Sequence, residues 1–301
     1  MGAKRKTFVY SEIDTDPGPF ITDRDGLETV RERIVDDLRR TVSGADADGV
    51  VVAMSGGIDS TVTAALAVEA LGSDRVLGLG LPCHKSDRTQ VNEARTIADG
   101  LGMEFREIQL QPLLDAFEET VAAEFEPETP DRPNERNYAL GNVVARLRMA
   151  CAYYAANRES RLVVGTANRS ELLLGYFTKY GDGAADVYPI GDLYKTEVRA
   201  LAKRLGVPRR IVTKAPTAGF WATQTDADEL GAAYDVIDPL LWRLVDEDVP
   251  LEDAIDVLGI EPDLAHEIVA RCVRTAHKRQ TPRTPGIADR EGFGDVDSYS
   301  R

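Results

Sequence analysis

The sequence predicts an α/β protein, an open parallel sheet with helices on both faces and a mostly helical C-terminal part. Apolar runs too short for helices alternate with stretches whose apolar residues recur every three or four positions. Strands that alternate with helices in this way build parallel βαβ units. A third observation marks the first unit: a glycine-rich turn joins a buried strand directly to a helix.

Residues 1–26 are polar, hold Pro17, Gly18 and Pro19, and read as an arm. Leu27, Val30, Ile34, Leu38 and Val42 form one helical stripe. Val50–Met54 is a short strand, and helix Ser60–Leu71 follows its turn. Strand Val76–Leu81, helix Gln90–Leu101, strand Glu104–Leu110 and a helix over Leu113–Ala123 continue the alternation. Pro127, Pro130 and Pro133 make Glu126–Arg136 a loop. Helix returns over Tyr138–Ala156, a strand over Leu162–Gly165 and a short helix over Ser170–Leu174. Thr178–Asp186 is a Gly/Asp-rich loop, and helix Thr196–Leu205 stops ahead of Gly206 and Pro208. Helices are expected at Tyr234–Val245, Leu251–Leu258 and Pro262–Thr275, and residues 284–301 form a polar tail.

A chain of 301 residues that is 43% hydrophobic buries a core rather than remaining disordered. No apolar run approaches the roughly 18 residues of a membrane span, and the basic start Met1–Lys6 lacks the apolar stretch of a signal peptide. Cys83, Cys151 and Cys272 show no paired spacing, which argues against a disulfide framework or a zinc ribbon and fits a reducing compartment. One histidine, His84, beside Cys83 is not a ligand set. A cytoplasmic protein without a membrane partner is expected.

Fifty-one acidic residues face 36 basic ones, and the net charge of −15 repels nucleic acid as well as anionic membranes. Only eight of the basic residues are lysines: Lys4, Lys6, Lys85, Lys179, Lys195, Lys203, Lys214 and Lys278. Excess acid with scarce lysine reads as a surface adapted to salt, the plainer alternative being ordinary acidity. In such a chain each lysine retained is a candidate for a task.

Ser55-Gly56-Gly57-Ile58-Asp59-Ser60 carries the clearest chemistry. Two glycines let an anion approach the backbone, a helix start turns its positive end toward that anion, and two hydroxyls add donors. This is a polyphosphate cradle, distinct from the P-loop because no Gly-Lys-Ser/Thr follows. Asp59 is out of place beside an anion unless it holds a cation such as Mg²⁺. The alternative is a plain strand–turn–helix connection capped by Asp and Ser.

The strand and its Ser-Gly-Gly-x-Asp-Ser turn resemble the pyrophosphate loop of the N-type ATP pyrophosphatases, which cleave ATP between its α and β phosphates. That resemblance implies an adenine nucleotide alpha hydrolase-like fold. Later segments narrow it to the NAD synthetases: Gly141–Arg146, Gly165-Thr166, Glu171, Gly175–Gly183, Asp186, Pro189, Lys195, Lys214–Gly219, Asp228–Gly231 and His277-Lys278-Arg279. The resemblance covers about residues 27–283, which would form one ATP-pyrophosphatase domain.

By that resemblance, ATP is contacted by Ala53, Met54, Ser55, Gly56, Gly57, Ile58, Asp59, Ser60, Thr166, Lys195 and Thr217. Asp59 and Glu171 would hold Mg²⁺, and Lys195 would offset charge that develops on the phosphates. Arg146, Lys179, Asp186, His277 and Lys278 would bind deamido-NAD. Asp182 either orients ammonia or accepts its proton, or is a turn residue ahead of Gly183. Alone, Glu171 reads as a solvated helix-start acid and Lys195 as a surface residue at a helix N-terminus, where a cation is mildly unfavourable. One position departs from the family pattern: Gly80 precedes Leu81-Pro82 where an arginine is often found, so either Arg88 or Lys85 compensates from the following loop or that ATP contact is absent.

The implied reaction is ATP-dependent amidation of deamido-NAD to NAD through an acyl-adenylate. Only about 26 residues precede the first helix, so no glutaminase domain is expected and free ammonia is the expected nitrogen donor. A homodimer is implied, with His277-Lys278 serving the neighbouring subunit. Two rival classes are a tRNA-modifying pyrophosphatase, which would need a basic face, and a nucleotide sensor, which has no reason to keep Asp59, Glu171 and Lys195 together.

The charge reading makes a measurable claim. Screening shortens from about 10 Å at 0.1 M salt to about 3 Å at 1 M, which removes repulsion among the surplus acids. The unfolding midpoint should rise steadily from about 0.1 to about 3 M KCl, while nucleotide affinity weakens or stays flat. A flat or falling midpoint would mean ordinary acidity.

Overall fold

The computed structural model describes residues 19–84, 87–125, 135–214 and 226–282. Residues 1–18 of the arm, Lys85, residues 126–134 of the proline-rich loop, Thr217 and the polar tail lie outside the described residues.

Strand β1 (Gly49–Ala53) runs through the middle of the sheet, between β2 (Val76–Gly80) and β4 (Arg161–Val164). β3 (Glu104–Glu107) pairs with β2, giving the order β3-β2-β1-β4 with every pairing parallel. Along the chain the helices are α1 (Arg24–Gly44), α2 (Ile58–Leu71), α3 (Arg88–Leu101), α4 (Gln111–Thr120), α5 (Glu135–Arg158), α6 (Arg169–Leu174), α7 (Lys195–Arg204), α8 (Arg209–Val212), α9 (Asp226–Leu230), α10 (Tyr234–Val245), α11 (Leu251–Leu258) and α12 (Pro262–Arg274).

Side chains alternate across a strand, and β1 shows why the sheet is covered twice. Val50 and Val52 join a core with Leu38 and Val42 of α1, Leu66 of α2, and Val198 and Leu201 of α7. Val51 joins a second core with Leu77, Leu79, Val163, Leu114 of α4 and Val144 and Ala152 of α5. A strand buried on both faces reads as an uninterrupted apolar run, which is how Val50–Met54 stands in the sequence. The edge strand β3 carries Glu104, Arg106 and Glu107 instead, with Arg106 held by Glu104 and Glu159; charge at an edge discourages further pairing.

The C-terminal helices form a third core, in which Ile237, Leu240 and Leu241 of α10 meet Ala254, Ile255, Ala265 and Ile268. Phe20 belongs to it too, edge-on to Tyr194 with ring centroids 5.4 Å apart. The last residues of the polar stretch are thus tied into the body, and α1 starts at Arg24 because the Asp23 carboxylate caps the Asp25 and Gly26 N–H groups at 3.1 and 2.9 Å. A lone Phe20 has no periodic partner to reveal this in the sequence. The predicted helices and strands are otherwise present with ends displaced by a few residues. The strand expected to reach Leu110 stops at Glu107, although Ile108 and Leu110 still bond back to Gly80 and Pro82 at 2.9 and 2.8 Å. Helix α8 and a single parallel bridge from Val164 to Val187 were not anticipated; both are too short for a periodicity to show. Among the described residues no helix is long and apolar enough to cross a membrane.

Two glycines give opposite expectations. At Gly56, φ is +74° and an added Cβ would stand 2.4 Å from the Gln90 carbonyl oxygen. Gly100, inside α3, has nothing within 4 Å of such a Cβ. Gly56→Ala should lower unfolding free energy by more than about 1 kcal/mol, and Gly100→Ala should raise it by about 0.5–1 kcal/mol, both read from urea unfolding at one fixed KCl concentration.

Candidate active site

The C-terminal end of β1 runs into the turn anticipated as a phosphate cradle. Gly56 takes the left-handed conformation that lets the backbone pass against α3, and Gly57 opens α2. The turn closes on itself. Gly57 N–H donates to Ser55 Oγ at 3.2 Å, Ser55 N–H to Ser60 Oγ at 3.3 Å, and Thr61 Oγ1 to the Gly57 carbonyl at 2.7 Å. Ser60 is buried, and its hydroxyl also reaches Ser55 Oγ and the Gly57 carbonyl, each at 3.2 Å. These bonds hold the turn in shape.

Beside the turn lies a buried cation. Lys195, the first residue of α7, is only 2% exposed. Its Nζ stands 2.6 Å from Asp59 Oδ2 and 3.3 Å from Glu171 Oε1, with the Tyr234 ring 5.3 Å away. Burial alone would lower the lysine pKa, but the attraction of Asp59 and Glu171 outweighs it and holds the ammonium above its ordinary range. Glu171 is pushed up to about 8, chiefly by burial, with Asp59 adding to the rise and Lys195 opposing it. Neither residue is the solvated surface group that its sequence context alone suggests.

Asn168, which sequence reasoning missed, ties the two carboxylates together. Its Nδ2 donates to Asp59 Oδ1 at 3.0 Å, its Oδ1 caps the Glu171 N–H at 3.0 Å, and its own N–H reaches Glu171 Oε2 at 3.2 Å. The last two bonds form a reciprocal capping box. The sequence signal was present in Asn168-x-x-Glu171, which reads equally as a simple helix start.

The turn and the cluster open into one cleft of about 1060 Å³. Of the predicted site residues, Ala53, Met54, Ser55, Gly57, Ile58, Asp59, Ser60, Thr166, Glu171, Asp182, Lys195 and Lys278 line it. Gly56 faces α3 instead. Asp182 Oδ1 accepts the Thr178 N–H at 2.9 Å, as a turn residue does, and the residue lines the cleft. Surrounding protein mass raises its pKa above the ordinary carboxylate value. Lys278 spends Nζ on the Gly175 and Phe177 carbonyls at 2.8 and 2.7 Å, and its pKa is lowered by burial.

The other predicted dinucleotide residues stand beside the cleft rather than in its wall. Lys179 Nζ donates to the His277 and Gln280 carbonyls at 2.5 and 3.4 Å, and Arg146 reaches the Lys179 carbonyl at 3.3 Å. His277 is exposed, with Nδ1 3.1 Å from the Arg274 carbonyl. Asp186 accepts the Val163 N–H at 2.7 Å and the Tyr153 hydroxyl at 3.2 Å, joining the loop to β4.

Gly80 has a physical reason. A Cβ there would stand 2.5 Å from the Phe105 ring, so no arginine fits without displacing it. Arg88 is exposed. The guanidinium that reaches this end of β2 is Arg148 of α5, whose Nε donates to the Leu81 carbonyl at 3.0 Å and whose Nη2 lies 3.5 Å from Asp87. It lines the cleft, and nothing local in α5 marks it. Asp226 also lines the cleft, buried and accepting the Tyr234 and Tyr176 hydroxyls at 3.0 and 3.2 Å. Cys83 is buried, its thiol raised to about 11 chiefly by burial, so it is an inert packing group.

Residues 30–282 match the family model described as NAD synthase. The chain is 44% identical over 262 residues to an NH(3)-dependent NAD(+) synthetase of Methanosarcina mazei, covering 87% of this chain and 99% of the relative. Among solved structures, an NH3-dependent NAD synthetase from Campylobacter jejuni matches with TM-score 0.69 at 31% identity, over 86% of this chain and 98% of its own. A structure described as NMN synthetase from Francisella tularensis matches with TM-score 0.72 at 33% identity, over 87% and 99%. With a glycine turn, a buried lysine between two acids and a match that runs nearly end to end, the chain belongs to the NAD synthase family.

Proposed function

We propose that the chain makes NAD by amidating deamido-NAD with ammonia at the expense of ATP, as a ligase that releases AMP and pyrophosphate. The observation that carries this is the convergence of Lys195, Asp59 and Glu171 on the phosphate turn across one cleft. A carboxylate resists ammonia because it is anionic and has a poor leaving group. Its oxygen attacks the α-phosphorus of ATP, the bond to pyrophosphate breaks, and the acyl-adenylate forms. Ammonia then attacks the acyl carbon, a proton is lost and AMP departs with the electron pair of the acyl–oxygen bond.

The residues supply position and charge. The turn Ser55–Ser60, with Ala53, Met54 and Thr166, holds the triphosphate; Thr217 is assigned with them by resemblance. Lys195 offsets the negative charge that grows on the departing pyrophosphate. Asp182 faces the cleft with its pKa raised, which suits a group that orients ammonia and takes its proton. Arg146, Lys179, Asp186, His277 and Lys278 receive the dinucleotide; the chain of contacts among Arg146, Lys179 and His277 supports treating these three as one surface.

Mg²⁺ suits the oxygens of Asp59 and Glu171, which converge on a single point now held by the Lys195 ammonium; hard carboxylate donors, few in number, match that ion. When bound, Mg²⁺ supplies charge neutralisation to phosphate oxygens.

A homodimer in the cytoplasm completes the proposal. Its support is that Leu113, Val121, Phe125 and Tyr154, on and beside α4 and α5, are large apolar side chains left exposed. Light scattering should give twice the chain mass; a fully active monomer would end the idea.

The defining assay offers ATP, Mg²⁺ and ammonia with either deamido-NAD or its mononucleotide counterpart, and scores AMP and the amide formed. NAD is the expected product. Preference for the mononucleotide, or no amide at any KCl concentration, would refute the proposal. Because Asp59 and Glu171 also neutralise Lys195, removing either charge costs stability, and alanine would add a cavity and lost hydrogen bonds to that cost. Asp59→Asn and Glu171→Gln keep the shape, and each should slow pyrophosphate release on the order of 100-fold. Near-parental release from either folded variant would remove its assigned role. Lys179→Ala should raise KM for deamido-NAD at least about tenfold, the loss of roughly one charge-assisted contact, with KM for ATP little changed. Equal effects on both would contradict the assignment.

A further inference from the structure

Asp238 of α10 is 0% exposed, and no step of the proposed chemistry uses it. A carboxylate is among the costliest groups to bury. Its Oδ1 accepts the Ser170 hydroxyl at 2.6 Å. Its Oδ2 accepts the Thr196 hydroxyl at 2.7 Å and the Thr196 backbone N–H at 2.9 Å. The Ser170 hydroxyl in turn accepts the Lys195 backbone N–H at 2.9 Å. Asp238 therefore fastens the first turns of α6 and α7 to each other, at the residue before Glu171 and the residue after Lys195.

A neutral pair of side chains would join two helices with less desolvation, so the charge itself needs a reason. The first N–H groups of a helix lack intrahelical acceptors and carry its positive end. Lys195 begins α7, which places a buried ammonium and that positive end together. A carboxyl bonded to that first turn opposes the helix's positive end; burial works against its charge, and the Arg199 guanidinium of the same helix favours it. The Asp59 and Glu171 carboxylates meet the ammonium from the cleft side, and Asp238 meets the backbone from the α10 side.

We infer that Asp238 is a positioning residue for Lys195, setting where its Nζ stands against Asp59, Glu171 and the phosphate turn. The inference rests on the reading that Lys195 serves the ATP phosphates. Asp238→Asn preserves the size of the side chain and deletes the charge, while Ser170→Ala and Thr196→Val each delete one donor.

The test is a double-mutant cycle on the full chain with Lys195→Met, whose thioether keeps the bulk of the lysine stem. Folding is checked by circular dichroism and urea midpoint, and kcat is read with KM for ATP, deamido-NAD and ammonia. In the folded Asp238→Asn variant kcat should fall at least about tenfold, while KM for deamido-NAD and ammonia moves less than about threefold. In the Lys195→Met background the same change should alter the residual rate by less than about twofold, because both substitutions remove one function. A merely structural role would not produce that non-additivity. If Asp238→Asn fails to fold, Ser170→Ala and Thr196→Val enter the cycle in its place with the same expectation. Parental kcat in the folded Asp238 or donor variants, or losses that multiply with Lys195→Met, would overturn the inference and leave the Lys195 reading standing. Parental kcat in Lys195→Met would overturn both.

Discussion

A buried ammonium has to be neutralised, and this molecule is arranged around that requirement. Taking the Lys195 charge out of water costs several kcal/mol even after relaxation, and the cost is offset only where acids are brought to it with good geometry. Asp59 arrives on the first turn of α2, Glu171 on the first turn of α6, and Lys195 itself starts α7. Their meeting fixes how those helices leave the C-terminal ends of β1 and β4. The starts of α2 and α7 also turn their positive ends toward the same region. Helix ends and ammonium together concentrate positive charge there, balanced by the Asp59 and Glu171 carboxylates.

The surrounding charge makes that concentration of cations matter. A chain of net −15 repels a nucleotide at long range, so binding depends on a local reversal of sign. The few lysines are spent accordingly. Lys195, Lys214 and Lys278 line the cleft, and Lys179 stands beside it with Nζ bonded to the His277 carbonyl. Of the lysines among the described residues, only Lys203 is simply an exposed group on α7. Scarcity of one residue type thus points, alongside the Ser55–Ser60 turn, at the same cleft.

What was legible in the sequence was what lies close together in it. The β1–turn–α2 unit can be read because strand, glycines and helix start are contiguous, and the alternation of strands with helices identifies the parallel sheet. The cluster itself joins residues far apart: Lys195 and Asp59 are separated by 136 positions and Lys195 and Glu171 by 24. No periodicity brings such residues together: family resemblance implied that they share one site, and the ion pairing of Lys195 with the two acids is seen only in three dimensions. Arg148 shows the limit in another way. The lysine and arginine that follow Gly80 most closely in sequence are Lys85 and Arg88, whereas the guanidinium bonded to the Leu81 carbonyl comes across space from α5. Asn168 and Asp238 stand in ordinary helix-start and helix contexts, and only their three-dimensional partners distinguish them.

Salt separates the two kinds of ion pair that the chain contains. Arg39–Asp36 and Arg40–Asp37 on α1 are pairs more than half exposed on both sides, and such pairs contribute little even in dilute salt. Ions that shorten the screening distance to a few ångströms reach them freely. Lys195 is 2% exposed, and its partners Asp59 and Glu171 are 18% and 17% exposed, so mobile ions have little access to the space between them. Screening therefore erodes attraction and repulsion over the acidic surface while leaving the central pair nearly intact. A site built on a buried cation keeps its internal geometry across salt concentrations that reset the electrostatics of everything outside it.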